Sequence, residues 1–83
     1  MDEILCTIKL FGGNFIPRGY MECNGQLLSV EQYQAVYALL GNTYGGNWDA
    51  ARGRMTFGLP KLTPPDEHMK YIICVEGVFP DRW

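Results

Sequence analysis

Gly41 to Leu62 reads GNTYGGNWDAARGRMTFGLPKL, a run dense in glycine and asparagine that carries a small basic cluster and closes on FGLP. Gly45, Gly46, Gly53 and Gly58 let the backbone turn where side chains would clash. Tyr44, Trp48 and Phe57 supply the apolar area that would pin such a segment to a body. A loop of about twenty residues is uncommon in a small domain and is more often functional than filler. The expectation is therefore a long glycine-rich loop with function seated on it.

Outward from that loop, the periodicities place the rest of the fold. On its N-terminal side, Ser29 with Gln32 three residues on is a capping-box pattern. Val30, Tyr33, Val36, Tyr37 and Leu40 then recur at helical spacing, with Glu31, Gln32 and Gln34 on the other side. This predicts an amphipathic helix of about three turns that Gly41 ends as a C′ residue. Before it, Tyr20–Cys23 and Gln26–Leu28 flank Asn24-Gly25, the dipeptide that suits a two-residue hairpin turn. Pro17 holds Ile16 extended. At the start, Ile4, Cys6, Ile8 and Leu10 alternate with Leu5, Thr7 and Lys9, a strand with one apolar face.

On the other side of the loop, Tyr71 to Val75 is almost continuously apolar, as a strand buried on both faces would be. One short helix cannot cover two such faces, which points to a subunit interface at Tyr71, Ile73 and Val75, with Trp83 as a plug in a neighbouring subunit or a frayed end. The fold expected is a small α+β single domain over residues 1–83: paired N- and C-terminal strands, a short hairpin, one amphipathic helix and the glycine-rich loop.

Composition narrows function. At 83 residues the core is limited and in need of a partner or staple, while 47% apolar content argues against disorder. A net charge of -2 gives nucleic acid no basic face to meet. No run is long enough to span a membrane, and Met-Asp-Glu is a poor start for a secretion signal. The expectation is a soluble domain made in the cytoplasm, without Sec targeting or membrane insertion.

The three cysteines, Cys6, Cys23 and Cys74, form no close pairs, and His68 is the sole histidine. Zinc wants four ligands, usually in close pairs, so no metal or cofactor is expected and the thiols read as small buried hydrophobes. A Cys6–Cys74 bond is conceivable if the terminal strands pair, although a reducing cytoplasm opposes it.

Catalytic groups are not evident. His68 sits between Glu67 and Lys70 without a nucleophile beside it. The carboxylates show no spaced pair for acid–base work, and Gly41–Gly46 lacks the Gly-Lys-Ser/Thr of a phosphate loop. No catalytic residue is assigned, and the chain reads as a non-enzyme. Arg52-Gly53-Arg54 opposite Asp49 is by default a solvated loop tip. With Asn47 and Trp48 beside it, the same cluster suits a sugar-bearing surface, because an indole face stacks on sugar C–H groups and an amide reads hydroxyls. Tyr44, Asn47, Trp48, Arg52 and Arg54 are the candidate ligand-binding residues.

Five segments in order, Phe11-Gly12-Gly13, Pro17–Gly25, Leu39–Gly46, Phe57–Leu62 and Tyr71–Pro80, resemble the phage tail collar family, which includes the microcystin-dependent proteins of bacteria. Members tend to read G-x-I-x-x-F-A-G, P-x-G-W-x-x-C-D-G-x-x-L, L-L-G-T-x-Y-G-G, F-x-L-P-D-L and a terminal Y-I-I-x-x-x-G-I-F-P. Here Tyr20, Asn24 and Lys61 replace the usual tryptophan, aspartate and aspartate. The link from Gly46 to Thr56 is longer than usual, and Thr63-Pro64-Pro65-Asp66-Glu67 stands where relatives carry a variable glycine-rich region. The resemblance implies a minimal collar domain acting as a structural or receptor-binding part of a phage tail or tail-like particle. It also implies a homo-oligomer, a trimer around the tail axis, whose partners are other tail proteins or a host cell-surface glycan. The alternative from the residues is a free-standing lectin-like module.

Overall fold

The computed structural model describes residues 3–49 and 54–80. Among these residues are six strands and one helix: β1 (Ile8–Phe11), β2 (Tyr20–Glu22), β3 (Leu27–Ser29), α1 (Gln34–Leu40), β4 (Gly46–Asp49), β5 (Arg54–Gly58) and β6 (Lys70–Cys74). The strands make two three-stranded antiparallel sheets, β1-β6-β2 and β3-β5-β4. The architecture is α+β. The chain divides into two compact units, Met1–Cys23 with Leu62–Trp83, and Asn24–Lys61.

In the first unit β6 is central because its sequence is the one that can be buried on both faces. Ile72, Ile73 and Cys74 are consecutive, so they point alternately to opposite faces, and each is 0% exposed. The terminal strands pair as expected, Ile8 opposite Ile73 and Leu10 opposite Tyr71. The regular strand begins at Ile8 rather than Ile4, however, and Ile4, Ile8 and Leu10 are exposed where an apolar core face was expected. On the other edge Met21 also faces Ile73, giving an Ile8–Ile73–Met21 row across the sheet. Lys9 and Tyr20 stand on the opposite face with Ile72 and Cys74.

The approach to β1 is a turn joined to a bulge. Thr7 N–H donates to the Ile4 carbonyl at 3.1 Å, and the third residue of that turn, Cys6, has φ +69°. Positive φ at the third position is the signature of a type II turn, where glycine is the usual occupant. Cys6 N–H then donates to the Cys74 carbonyl at 2.9 Å, while Cys74 N–H donates to the Thr7 carbonyl at 3.0 Å. Two residues thus oppose one, a bulge of the kind that normally carries glycine in its first position.

The second unit departs from the sequence expectation. The run from Gly41 to Leu62 is not one long loop: β4 and β5 lie within it, paired from Gly46 opposite Phe57 to Asp49 opposite Arg54. A Cβ on Gly46 would strike the Thr56 carbonyl, and its φ is +147°. Glycine there serves a close strand approach rather than a loose loop. Phe57 at the centre of this sheet is 0% exposed and tilts 57° against Tyr37 of α1 with ring centroids 5.4 Å apart. With Leu28, Val36 and Leu59 it forms this unit's core.

Two further expectations are corrected. The hairpin across Asn24-Gly25 does not form, because β2 pairs with β6 and β3 with β5. Gly25 keeps a positive φ of +83°, but Asn24 does not share it, as a two-residue primed turn would require. Three-residue strands gain more from a long central partner than from each other. The regular helix is also shorter, 7 residues from Gln34. Val30 N–H is donated to the Met55 carbonyl at 3.0 Å, so the sheet holds the segment where the helix was expected to begin. The Ser29 hydroxyl still accepts the Gln32 N–H, at 3.4 Å, and Gly41, φ +59°, closes α1 through its N–H to the Tyr37 carbonyl.

Candidate functional site

Four of the five ligand-binding candidates, Tyr44, Asn47, Trp48 and Arg54, lie on or beside the β4–β5 pair. Tyr44 lies in the turn after α1 and is 47% exposed. Asn47 is exposed on β4 opposite Thr56. Its N–H donates to Thr56 Oγ1 at 3.0 Å, and that hydroxyl donates back to the Asn47 carbonyl at 3.3 Å. Trp48 and Arg54 have described backbones, opposite Met55 and Asp49 respectively, whereas Arg52 lies outside the described residues.

Two open clefts share Met55 and Thr56. The larger, about 550 Å³, is lined chiefly by Ser29, Glu31, Gln32, Gln34 and Thr56. The smaller, about 340 Å³, is bounded by Asn42, Gly45, Gly46 and Asn47. The surface available is therefore hydroxyl- and amide-rich, with Glu31 as the one ionisable side chain among the described lining residues. Such a surface can exchange hydrogen bonds with neutral polar groups. Glu31, Gln32 and Gln34, expected on the solvent side, are exposed; no local pattern says that Met55 and Thr56, some twenty residues later, border the same cleft.

The interface candidates fall differently. Ile73 is fully buried within the single chain and so belongs to its own core. Ile72 and Cys74 are likewise covered within the single chain. Tyr71 and Val75 are half-buried, and Val75 N–H donates to the Gly19 carbonyl at 2.8 Å. Trp83 lies outside the described residues.

A polar cluster that the sequence reading missed helps cover β6. Glu3 Oε1 accepts from Lys9 Nζ at 2.6 Å and from the Tyr20 hydroxyl at 2.9 Å, while Lys9 sits 5.0 Å from the Tyr20 ring centre. Since Lys9 and Tyr20 flank Ile72 and Cys74 on one face, the Glu3 carboxylate ties the two outer strands across the central one. The Lys9 and Tyr20 hydrogen bonds hold the Glu3 carboxyl below its usual range, and the bond to Glu3 raises Lys9. Desolvation and the Glu3 bond raise the Tyr20 hydroxyl.

His68 is exposed in a turn, its N–H bonded to Asp66 Oδ1 at 2.7 Å and its ring 3.8 Å from Glu67. Among the described residues no three His, Cys, Asp or Glu side chains are grouped to hold a metal. None of the three cysteines is in a disulfide. Burial raises each thiol, Cys23 to about 11 with help from Glu22, which lowers the thiolate fraction of each at neutral pH. Among the described residues no helix is long and apolar enough to cross a membrane.

Comparison with curated proteins and with solved structures found no match. The family model of the Phage Tail Collar Domain matches residues 6–64, from the Cys6 bulge through both short strands, α1 and the β4–β5 pair to the segment before β6. That span is well over half of the 83 residues, and the chain belongs to the phage tail collar family.

Proposed function

We propose that this chain is a non-enzymatic structural component of a phage tail or tail-like particle, assembled as a homotrimer and presenting the β4–β5 region to a host cell-surface glycan or a neighbouring tail protein. The observation that carries the reading is the collar match over residues 6–64. A second observation supports the recognition role: Tyr44 and Asn47 are exposed beside clefts of neutral hydrogen-bonding groups. A free-standing lectin-like module would use the same surface, and particle association separates the two. Antibody raised against the chain should label tails in electron micrographs of purified particles. Label confined to the soluble fraction of the lysate overturns the tail assignment. Light scattering at micromolar concentration should give the mass of three chains; a monomer mass removes the trimer.

A further inference from the structure

We propose that Cys6 and Cys74 form an intrachain disulfide once the protein meets a disulfide oxidant outside the reducing cytoplasm, a covalent lock between the N-terminal arm and the central strand.

The geometry begins with an anomaly. Cys6 occupies a left-handed conformation, φ +69°, at a turn-and-bulge position where glycine is the ordinary solution. It is the single non-glycine residue with positive φ among those described. A residue held in so sparsely populated a region is a reason to ask what its side chain gains there. What it gains is a place opposite a second cysteine. The Cys6 N–H to Cys74 carbonyl bond of 2.9 Å and the Cys74 N–H to Thr7 carbonyl bond of 3.0 Å fix the two backbones against each other. At this bulge Cys6 and Thr7 together oppose Cys74 across a strand spacing of about 4.7–4.9 Å, inside the range of about 4.4–6.8 Å that the Cα atoms of a disulfide span. The Cys74 thiol rests 3.4 Å from the Glu76 carbonyl, and side-chain rotation away from that oxygen is the movement the bond requires. The electrostatic influence of Cys74 on Cys6 agrees with their nearness.

Cys23 supplies an internal control. Its N–H bonds the Tyr71 carbonyl at 2.9 Å, three residues along β6 from Cys74, so about 10 Å away by strand rise. That exceeds disulfide reach.

Exposure divides the labour. Cys6 is half-exposed and Cys74 is 0% exposed. With oxidised glutathione as oxidant, the Cys6 thiolate attacks one glutathione sulfur, forming a mixed disulfide and expelling one glutathione thiolate. Cys74 then loses its proton and attacks the Cys6 sulfur. The second glutathione leaves, the oxidant has gained two electrons, and the two cysteine sulfurs are joined. Burial keeps both thiols above their ordinary pKa, so the exchange is slow, as suits a structural bond rather than a catalytic one.

The test incubates the purified full chain with oxidised glutathione and follows intact mass and disulfide-linked peptides. Wild type and Cys23→Ala should lose two hydrogens and yield a cross-link between the Cys6 and Cys74 peptides. Cys74→Ala should stop with one glutathionyl group on Cys6. Because the bond closes a loop over most of the chain, oxidised wild type should melt higher by roughly 10 °C or more, and reductant should reverse the gain. Stable glutathionylation of wild type, a cross-link through Cys23 or between chains, or a lower melting temperature after oxidation would each overturn the proposal.

Discussion

Replacing Ile8 and Ile73 by alanine, singly and together, interrogates the pairing on which the first sheet rests. Ile73 is 0% exposed at the centre of β6, so Ile73→Ala should cost about 2–5 kcal/mol in transfer and cavity terms. At about 4–8 °C per kcal/mol for a chain of this size, the melting temperature should fall by roughly 8–40 °C. Ile8 is 37% exposed on the edge strand, and alanine there should cost only about 1–1.5 kcal/mol. Direct opposition in the register adds a coupling of about 0.5–1 kcal/mol, so the double variant should be less destabilised than the sum of the two. Urea unfolding followed by circular dichroism reads all four corners of the cycle. Val78→Ala combined with Ile73→Ala is the control, since Val78 bridges Ile4 rather than β6. If Ile73→Ala leaves no folded protein, Ile73→Val at about 0.5–1.5 kcal/mol keeps the cycle measurable. Equal coupling for the Ile8 and Val78 cycles would refute the register.

Three other outcomes are expected. Gly25→Val should destabilise by about 1–3 kcal/mol, since φ there is +83° and the new Cβ would sit 3.4 Å from that of Lys61; an unchanged urea midpoint would mean the backbone adopts another conformation. Glu3 should titrate below the ordinary carboxylate range in an NMR pH series, with Lys9→Met and Tyr20→Phe each moving its midpoint upward. A depressed folded-state pKa means that this contribution to stability is whole above the ordinary value and is lost as pH falls through the folded one. The Trp48→Ala, Arg52→Ala double variant should abolish retention on a glycan array or host surface while changing stability by under about 0.5 kcal/mol; a folded variant that still binds removes this surface from recognition.

In the first sheet the pairing was legible and the burial of the first strand was not: Ile4, Ile8 and Leu10, the expected apolar face, are exposed, while Leu5 is buried. Alternation in Ile4–Leu10 and an unbroken apolar run in Tyr71–Val75 leave one sensible pairing, and Ile8 does face Ile73. The second sheet was not legible, because GNWD and RMTFG show glycine, asparagine and charge where a strand signal looks for β-branched alternation. Their strand character comes from neighbours: β5 is held on both edges, and Gly46 is the residue that lets β4 come close. Asn24-Gly25 misled for the opposite reason. Its local turn signal is strong, yet each flanking strand is taken by a different central strand. Of the candidate surface, Asn47 was readable as an exposed group on a polar run, whereas Tyr44, expected to pin the segment to a body, is 47% exposed. The cleft walls Ser29, Gln34 and Thr56 were not, since only the β3–β5 register and the start of α1 bring them together.

Both sheets place the strand that comes last in sequence at their centre, β5 in one and β6 in the other, and this orders their formation. Pairing Leu28 with Phe57 closes 57 − 28 = 29 residues, whereas Ile8 with Ile73 closes 73 − 8 = 65. The longer closure costs about 0.7 kcal/mol more in chain entropy, roughly threefold in rate. Once β3-β5-β4 is formed, its span no longer contributes flexible chain to the larger closure, which widens the advantage of forming it first. Pulsed hydrogen exchange during refolding should therefore protect the Leu59 amide, bonded to the Gln26 carbonyl at 3.0 Å, and the Val30 amide, bonded to Met55, before the amides of Cys23 and Cys74. Those last two are bonded to the Tyr71 and Thr7 carbonyls and cannot be protected until residues from both ends of the chain have met. Simultaneous protection of all four would mean that the sheets form in one cooperative step. Earlier protection at Cys74 than at Leu59 would show that closure entropy does not set the order.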